Sequence, residues 1–177
     1  MKDKRSKDLV IDASVARASG EGLANHPSAA TTRDFLQAVL KICHKAVMTQ
    51  AVREEWDRHQ SNFARKWRSS MVARKKLRLL VIPERENLRN KLQSENIPPT
   101  KRNAMLKDFH LIEAALKTDQ RIITLDDAAR TLFCETSSNI SELRNILWVN
   151  PVSDPVEVME WLRKGAHKEK RWKLEPA

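Results

Sequence analysis

The sequence predicts an α/β protein, a three-layer α/β/α sandwich around a central, mostly parallel sheet. Three observations lead there. Short apolar runs rich in β-branched residues recur at 9–11, 46–48, 121–125 and 146–149, each the length of a buried strand. Between them lie longer segments whose apolar residues fall three and four apart, the helical period. Strand alternating with helix is the order that builds a parallel sheet covered on both faces.

The elements follow in turn. Leu9-Val-Ile11 is the first strand, closed by Asp12. Residues 18–30, with two glycines, a proline and small side chains, read as a short helix and a loop. Thr31 or Thr32 can cap a helix to about His44, whose core stripe is Phe35, Leu36, Val39, Leu40 and Cys43. Ala46-Val-Met48 is the second strand, and Thr49 opens a helix carrying Glu54, Glu55 and Trp56. From 61 to 82 the pattern predicts one long amphipathic helix. Phe63, Trp67 and Met71 face inward, Arg65, Lys66, Arg68, Arg74, Lys75, Lys76 and Arg78 cover the rest, and Pro83 ends it. A charged helix over about 84–94 comes next, then a turn at Ile97-Pro-Pro-Thr100, and Asp108 begins an apolar-periodic helix. The strand at 121–125 ends at Asp126-Asp127, and a short helix runs to Phe133. The last strand, 146–149, is followed by a helix over about 154–164 and a basic tail. No internal repeat is present. The chain divides into a domain over 1–165 and a tail over 166–177, the tail expected to order only on meeting a partner.

Composition narrows the function. A chain of 177 residues, 41% of them hydrophobic, is one compact domain with an ordinary core. No apolar run approaches the roughly 18 residues that cross a bilayer, and the basic start runs into Asp12 too soon to be a signal peptide. Cys43 and Cys134 are too few for a disulfide scaffold or a cysteine zinc site, so a reducing cytoplasm is expected. Lys+Arg 33 against Asp+Glu 23 gives a net charge of +10. An excess of that size suits a polyanionic partner, because phosphates neutralised by Lys and Arg release condensed counterions.

Four acids stand where a site would form. Asp12 and Asp126 each follow a strand directly, Glu55 lies on the helix after the second strand, and Asp108 opens the helix before the Asp126 strand. Each alone has a plain explanation: a cap for the aspartates, solvent for Glu55. Together they say more, since parallel strands bring Asp12 and Asp126 to one edge of the sheet. Two carboxylates ~5 Å apart at an effective dielectric of ~20 repel by about 3 kcal/mol, and several such repulsions call for a cation. Oxygen-only ligands select magnesium or manganese over zinc. The five histidines (His26, His44, His59, His110 and His167) show no zinc-binding spacing.

These residues resemble the PIN-domain family, metal-dependent nucleases that include the VapC-type toxins of toxin–antitoxin pairs. Leu9-Val-Ile-Asp-Ala-Ser-Val15 is similar to the family's opening strand, aspartate and following hydroxyl residue. Glu54-Glu-Trp56 is similar to its helix-borne glutamate, and Asp108-Phe-His-Leu-Ile-Glu-Ala-Ala115 with Ile122-Ile-Thr-Leu-Asp126 to its third aspartate and T-x-D strand end. The resemblance implies that Asp12, Glu55, Asp108 and Asp126 hold Mg2+ or Mn2+ and are catalytic, with Ser14 in support. Asp127 either binds through water or caps its helix. Glu55 is preferred to Glu54 because the family's glutamate stands where Glu-Trp does here.

The activity so implied is endoribonuclease: hydrolysis of RNA phosphodiester bonds by a metal-activated water, leaving a 5′-phosphate and a 3′-OH. DNA is admissible in principle. His59 and His110 are the only candidates for a general base, though lone histidines are more often structural. Arg65, Arg68, Arg74, Lys75, Lys76 and Arg78 are the expected grip on the phosphate backbone, the alternative being a solvated helix face. The tail basics Arg163, Lys164, Lys168, Lys170, Arg171 and Lys173 would help, and Trp172 could stack on a base. The resemblance also admits an antitoxin protein as partner and favours a homodimer. The competing readings are a catalytically silent RNA-binding module and a non-nuclease α/β domain whose acids are caps.

Overall fold

The computed structural model describes residues 6–20, 27–83 and 86–176. The basic start, most of the loop expected within 18–30 and the first residues of the charged helix at 84–94 lie outside them. The architecture is α/β, with a five-stranded, all-parallel sheet flanked by eight helices among the described residues. β1 (Asp8–Ile11), β2 (Lys45–Met48), β4 (Arg121–Ile123) and β5 (Leu147–Val149) occupy the four apolar runs and are buried almost throughout. Being covered on both faces, they need continuous rather than alternating hydrophobicity.

The helix expected over 61–82 is instead two elements. α4 (Asn62–Ala73) stops where the Lys75 N–H donates to Val72 O at 2.9 Å and the Lys76 N–H to Met71 O at 2.8 Å. This is a Schellman end, with Lys75 in the left-handed region at φ 55°. The chain then enters β3 (Leu77–Leu79), which pairs with β2 from Ala46↔Leu77 to Met48↔Leu79. The exchange satisfies the backbone of β2 on its outer side, which a continued helix would leave unpaired.

Two further boundaries move. α2 (Pro27–Lys41) starts before Thr31 and Thr32, which lie inside it and donate back to Pro27 O (3.0 Å) and Ser28 O (2.8 Å). α6 (Pro99–Leu116) starts well before Asp108, which therefore sits mid-helix and caps nothing. The others are α1 (Ala13–Ala18), α3 (Gln50–His59), α5 (Glu86–Ser94), α7 (Asp127–Thr136) and α8 (Pro155–Arg163).

The C-terminal segment is part of the fold rather than a loose tail. Lys173 forms an antiparallel bridge with Leu147, and the Leu174 N–H donates to Ile146 O at 3.0 Å. Trp172 packs edge-on against Trp161, ring centroids 5.2 Å apart, and both Trp172 and Leu174 are buried. Burial of an apolar side chain stabilises by roughly 1.5–3 kcal/mol, enough to fix a short segment. Trp172 is thus a core residue and no stacking platform for bases.

The strand order β3-β2-β1-β4-β5 positions the site. The chain adds β2 and β3 on one side of β1, then crosses back to add β4 and β5 on the other. At such a reversal a crevice opens beyond the carboxyl ends of the two central strands, here β1 and β4, paired at Val10↔Ile122 and Ile11↔Ile123. Among the described residues no helix is long and apolar enough to cross a membrane.

Candidate active site

Asp12 is the first residue past β1, and Asp126 stands three residues past the end of β4, where the strand expected over 121–125 stops at Ile123. Asp12 extends the ladder by donating its N–H to Ile123 O at 2.8 Å, then turns the chain into α1 as its N-cap. Its Oδ2 accepts from Ser14 Oγ (2.5 Å), the Ser14 N–H (3.3 Å) and Thr124 Oγ1 (3.0 Å). Ser14 Oγ in turn accepts the Leu125 N–H at 3.2 Å. The hydroxyls thus lock the Asp12 carboxylate to both strand ends, the support expected of Ser14. Asp126 caps α7, its Oδ1 accepting the Ala129 N–H at 2.7 Å. Two buried tryptophans hold the backbone at these turns: Trp56 Nε1–H donates to Ile11 O (2.8 Å) and Trp148 Nε1–H to Asp126 O (3.0 Å).

Asp12, Glu55, Asp108 and Asp126 line one cavity of about 330 Å³, with Ser14, Arg17, Lys107, His59 and His110 also in its wall. All four acids singled out from the sequence are therefore neighbours, and both candidate histidines join them. Glu55 is the member contributed by α3, held by Arg58 and 3.6 Å from His59 Nε2. Glu54 faces away from this cavity and accepts from Gln50 Nε2 at 3.0 Å. Asp127 also lies apart: its Oδ2 accepts from Asn150 Nδ2 (2.9 Å) and Ser153 Oγ (3.0 Å).

Asp108 is the electrostatic centre of the group. Burial, then the charges of Asp12 and Asp126 and more weakly Glu55, push its carboxyl up to about 6, with only Lys107 acting in the other direction. Among the described residues no hydrogen bond or ion pair reaches that carboxyl. The four acids offer oxygen ligands only and outnumber Arg17 and Lys107 in the same wall, which fits a hard divalent cation in chemistry. In their present positions the acids ring the cavity wall: among the described residues no three potential ligands converge on one point.

The expected phosphate grip is not built as one surface. None of Arg65, Arg68, Arg74, Lys75, Lys76 and Arg78 lines the acid cavity. Arg68 pairs with Asp57 at 2.7 Å, and Arg74 reaches Leu40 O at 3.4 Å. Lys76 Nζ donates to Val39 O (2.6 Å), Leu40 O (2.9 Å) and Ile42 O, closing the end of α2. Arg78 is on β3, where it binds Asp8 at the far end of β1. Arg65 and Lys75 are exposed. The cations in the cavity wall are Arg17 and Lys107, which a search for dense charge passes over. Their sequence signal is weaker: Arg17 shares the short helix after Asp12, and Lys107 directly precedes Asp108. No family model matches the chain, and no curated protein matches its sequence.

Proposed function

We propose that this protein is a metal-dependent endoribonuclease of the PIN type, hydrolysing RNA phosphodiester bonds in the acid-lined cavity. The observation that carries the reading is Asp108. It is a half-buried mid-helix carboxyl raised to about 6 by burial and by three neighbouring acids, at the switch point of a parallel sheet. A helix cap or a solvated acid has no need of such surroundings, and perturbed acids of this kind cluster at functional sites.

A bound Mg2+ or Mn2+ supplies an activated water and polarises the phosphoryl oxygen. Asp12, Glu55, Asp108 and Asp126 are the side chains that would hold it. Ser14 and Thr124 hold the Asp12 carboxylate through its Oδ2 before substrate arrives, so little reorganisation is needed. Asp126 divides its carboxylate between capping α7 through Oδ1 and facing the cavity. Arg17 and Lys107 offset the carboxylates and orient the phosphate, which the acids alone would repel. Arg58 and His59 hold Glu55 at the rim.

The deciding experiment is cleavage of end-labelled single-stranded RNA, with matched DNA alongside, in Mn2+ or Mg2+ and then in EDTA. The expected result is metal-dependent cutting of RNA to 5′-phosphate ends. Asp12→Asn and Asp108→Asn should each lower it by roughly two orders of magnitude or more, beyond the range typical of residues that only support a ligand. Undiminished cutting in both variants would sink the assignment.

A further inference from the structure

Beside the acid cavity lies a second one of about 360 Å³, with apolar residues Leu80, Val81 and Ile82 and polar residues Gln50, Glu54 and His110 in its wall. His110 lines both cavities, so the two adjoin. The second lies past the carboxyl ends of β2 and β3, and its wall includes the ion pair of Arg89 and Glu113, Nε–Oε1 3.0 Å and Nη2–Oε2 2.7 Å. A site of this size with apolar walls and a few polar groups is the usual form of a small-molecule pocket.

Three of its polar side chains, Gln50, Glu54 and His110, offer acceptors, beside the Arg89 guanidinium and the Thr49 hydroxyl. Gln50 Nε2 donates to Glu54 Oε1 at 3.0 Å, which leaves the Gln50 amide oxygen and the second Glu54 oxygen as acceptors. His110 Nδ1–H donates to Lys107 O at 3.1 Å, and in the tautomer that this bond requires Nε2 carries the lone pair. That Nε2 is buried and has no hydrogen-bond partner among the described residues, an arrangement that costs free energy until a donor arrives.

We propose that this second cavity receives the base next to the scissile phosphate and selects guanine. Among the four RNA bases, guanine alone presents two adjacent N–H donors, N1–H and the N2 amino group, to a carboxylate such as Glu54. Uracil opposes that carboxylate with carbonyl oxygens, and adenine and cytosine offer only an amino donor. The flat face of the ring lies against the aliphatic side chains of Leu80, Val81 and Ile82. The position of the phosphate rests on the nuclease reading; the base pocket and its acceptors do not.

Two measurements separate these layers. The first titrates guanosine and uridine into the full chain without metal, followed by amide chemical shifts. Guanosine should bind about tenfold more tightly, at the low end for a good bidentate base contact. The preference should vanish in Glu54→Gln, weaken in Gln50→Ala and persist in Asp108→Asn. Equal binding of the two nucleosides, or an unaltered preference in Glu54→Gln, overturns the proposal. The second maps RNA ends after cleavage: guanine should flank the cut in wild type, and Glu54→Gln should lose the bias at the cuts that remain. Cutting without base bias overturns the guanine subsite and leaves the nuclease intact. Absence of any cutting, with a Glu54-dependent guanosine preference, removes the nuclease and leaves the subsite.

Discussion

The two ends of the sheet treat charge in opposite ways. Where the strands begin, charged groups meet partners from the chain. Asp8 binds Arg78, and the Asp8 N–H donates to Asp119 Oδ2 at 2.8 Å. Buried Arg121 donates to Ala166 O at 2.5 Å and to Asp119 O, and Lys76 closes the carbonyls ending α2. His44, fully buried, accepts the Lys7 N–H at Nδ1 and donates from Nε2 to Leu162 O at 2.9 Å. Where the strands end, four acids share one cavity, and Asp108 is pushed up to about 6. One end spends its charges on holding elements together. The other leaves carboxylates against one another, an arrangement that a folded chain keeps only at some loss of stability, and that suits a cation from outside.

The contrast breaks most severely at Arg121. Arg121→Met should destabilise by about 3 kcal/mol, since it orphans buried carbonyls and removes the cation beside Asp119. A loss below about 1 kcal/mol in urea unfolding would show that this end does not depend on its charges. Asp108→Asn should act with the opposite sign. The carboxyl is partly screened by water, so relief of its burial and repulsion should stabilise the metal-free protein by about 1–2 kcal/mol, a thermal midpoint several degrees higher. Added Mn2+ should raise the midpoint of wild type and leave that of the variant unmoved. A variant less stable than the parent would mean that the acids do not oppose one another.

The effect of pH sharpens the comparison at His44. Burial, reinforced by the charges of Lys76, Arg121 and Lys7, lowers its imidazole below the ordinary 6.5, although the bond to Leu162 O works the other way. The unfolded chain therefore binds the proton more readily. The contribution from burying His44 neutral is complete above pH 6.5 and is lost as pH falls toward the folded value. With Asp108→Asn in place, so that a carboxyl pushed up to about 6 does not oppose the effect, stability should be lower at about pH 5 than at about pH 7.5, and adding His44→Gln should abolish that difference. An equal drop in the variant would place the sensitivity elsewhere. The smallest effect should come from Arg17→Ala with Lys107→Ala, which should reduce the salt dependence of RNA binding by about one to two counterions. If Arg65→Ala with Lys75→Ala does this instead, the exposed side of α4 and the turn that follows it carry the RNA.

The fold was legible because buried parallel strands must be continuously apolar, and four such runs stand out. β3 escaped notice for a physical reason. Leu77-Arg-Leu79 is short, lacks β-branched residues and has only one half-buried position. The turn before it uses Lys75 where α8 ends on Gly165, φ 101°, in the same left-handed region. A glycine there would have marked the stop; a lysine is indistinguishable from its helical neighbours. Asp12 and Asp126 were readable because each follows an apolar run, whereas the choice of Glu55 over Glu54 came from the resemblance carried by Glu54-Glu-Trp56 and not from the helical pattern. The role of Arg78 was not readable, because its partner Asp8 is 70 residues away in sequence. Trp172 looked exposed for a similar reason, since its neighbours in sequence are charged and its packing partner is Trp161.

The chain contains five tryptophans and no tyrosine, and all five indoles, at positions 56, 67, 148, 161 and 172, are buried. Its near-ultraviolet emission is therefore an indole signal alone, and unfolding should shift it strongly to the red as every ring meets water. Trp56 and Trp148 are also tied by their N–H groups to the backbone at the two acid-bearing turns. Fluorescence read without any label can thus serve as a gauge of two things at once: whether the protein is folded, and whether cation loading disturbs the turns at Asp12 and Asp126.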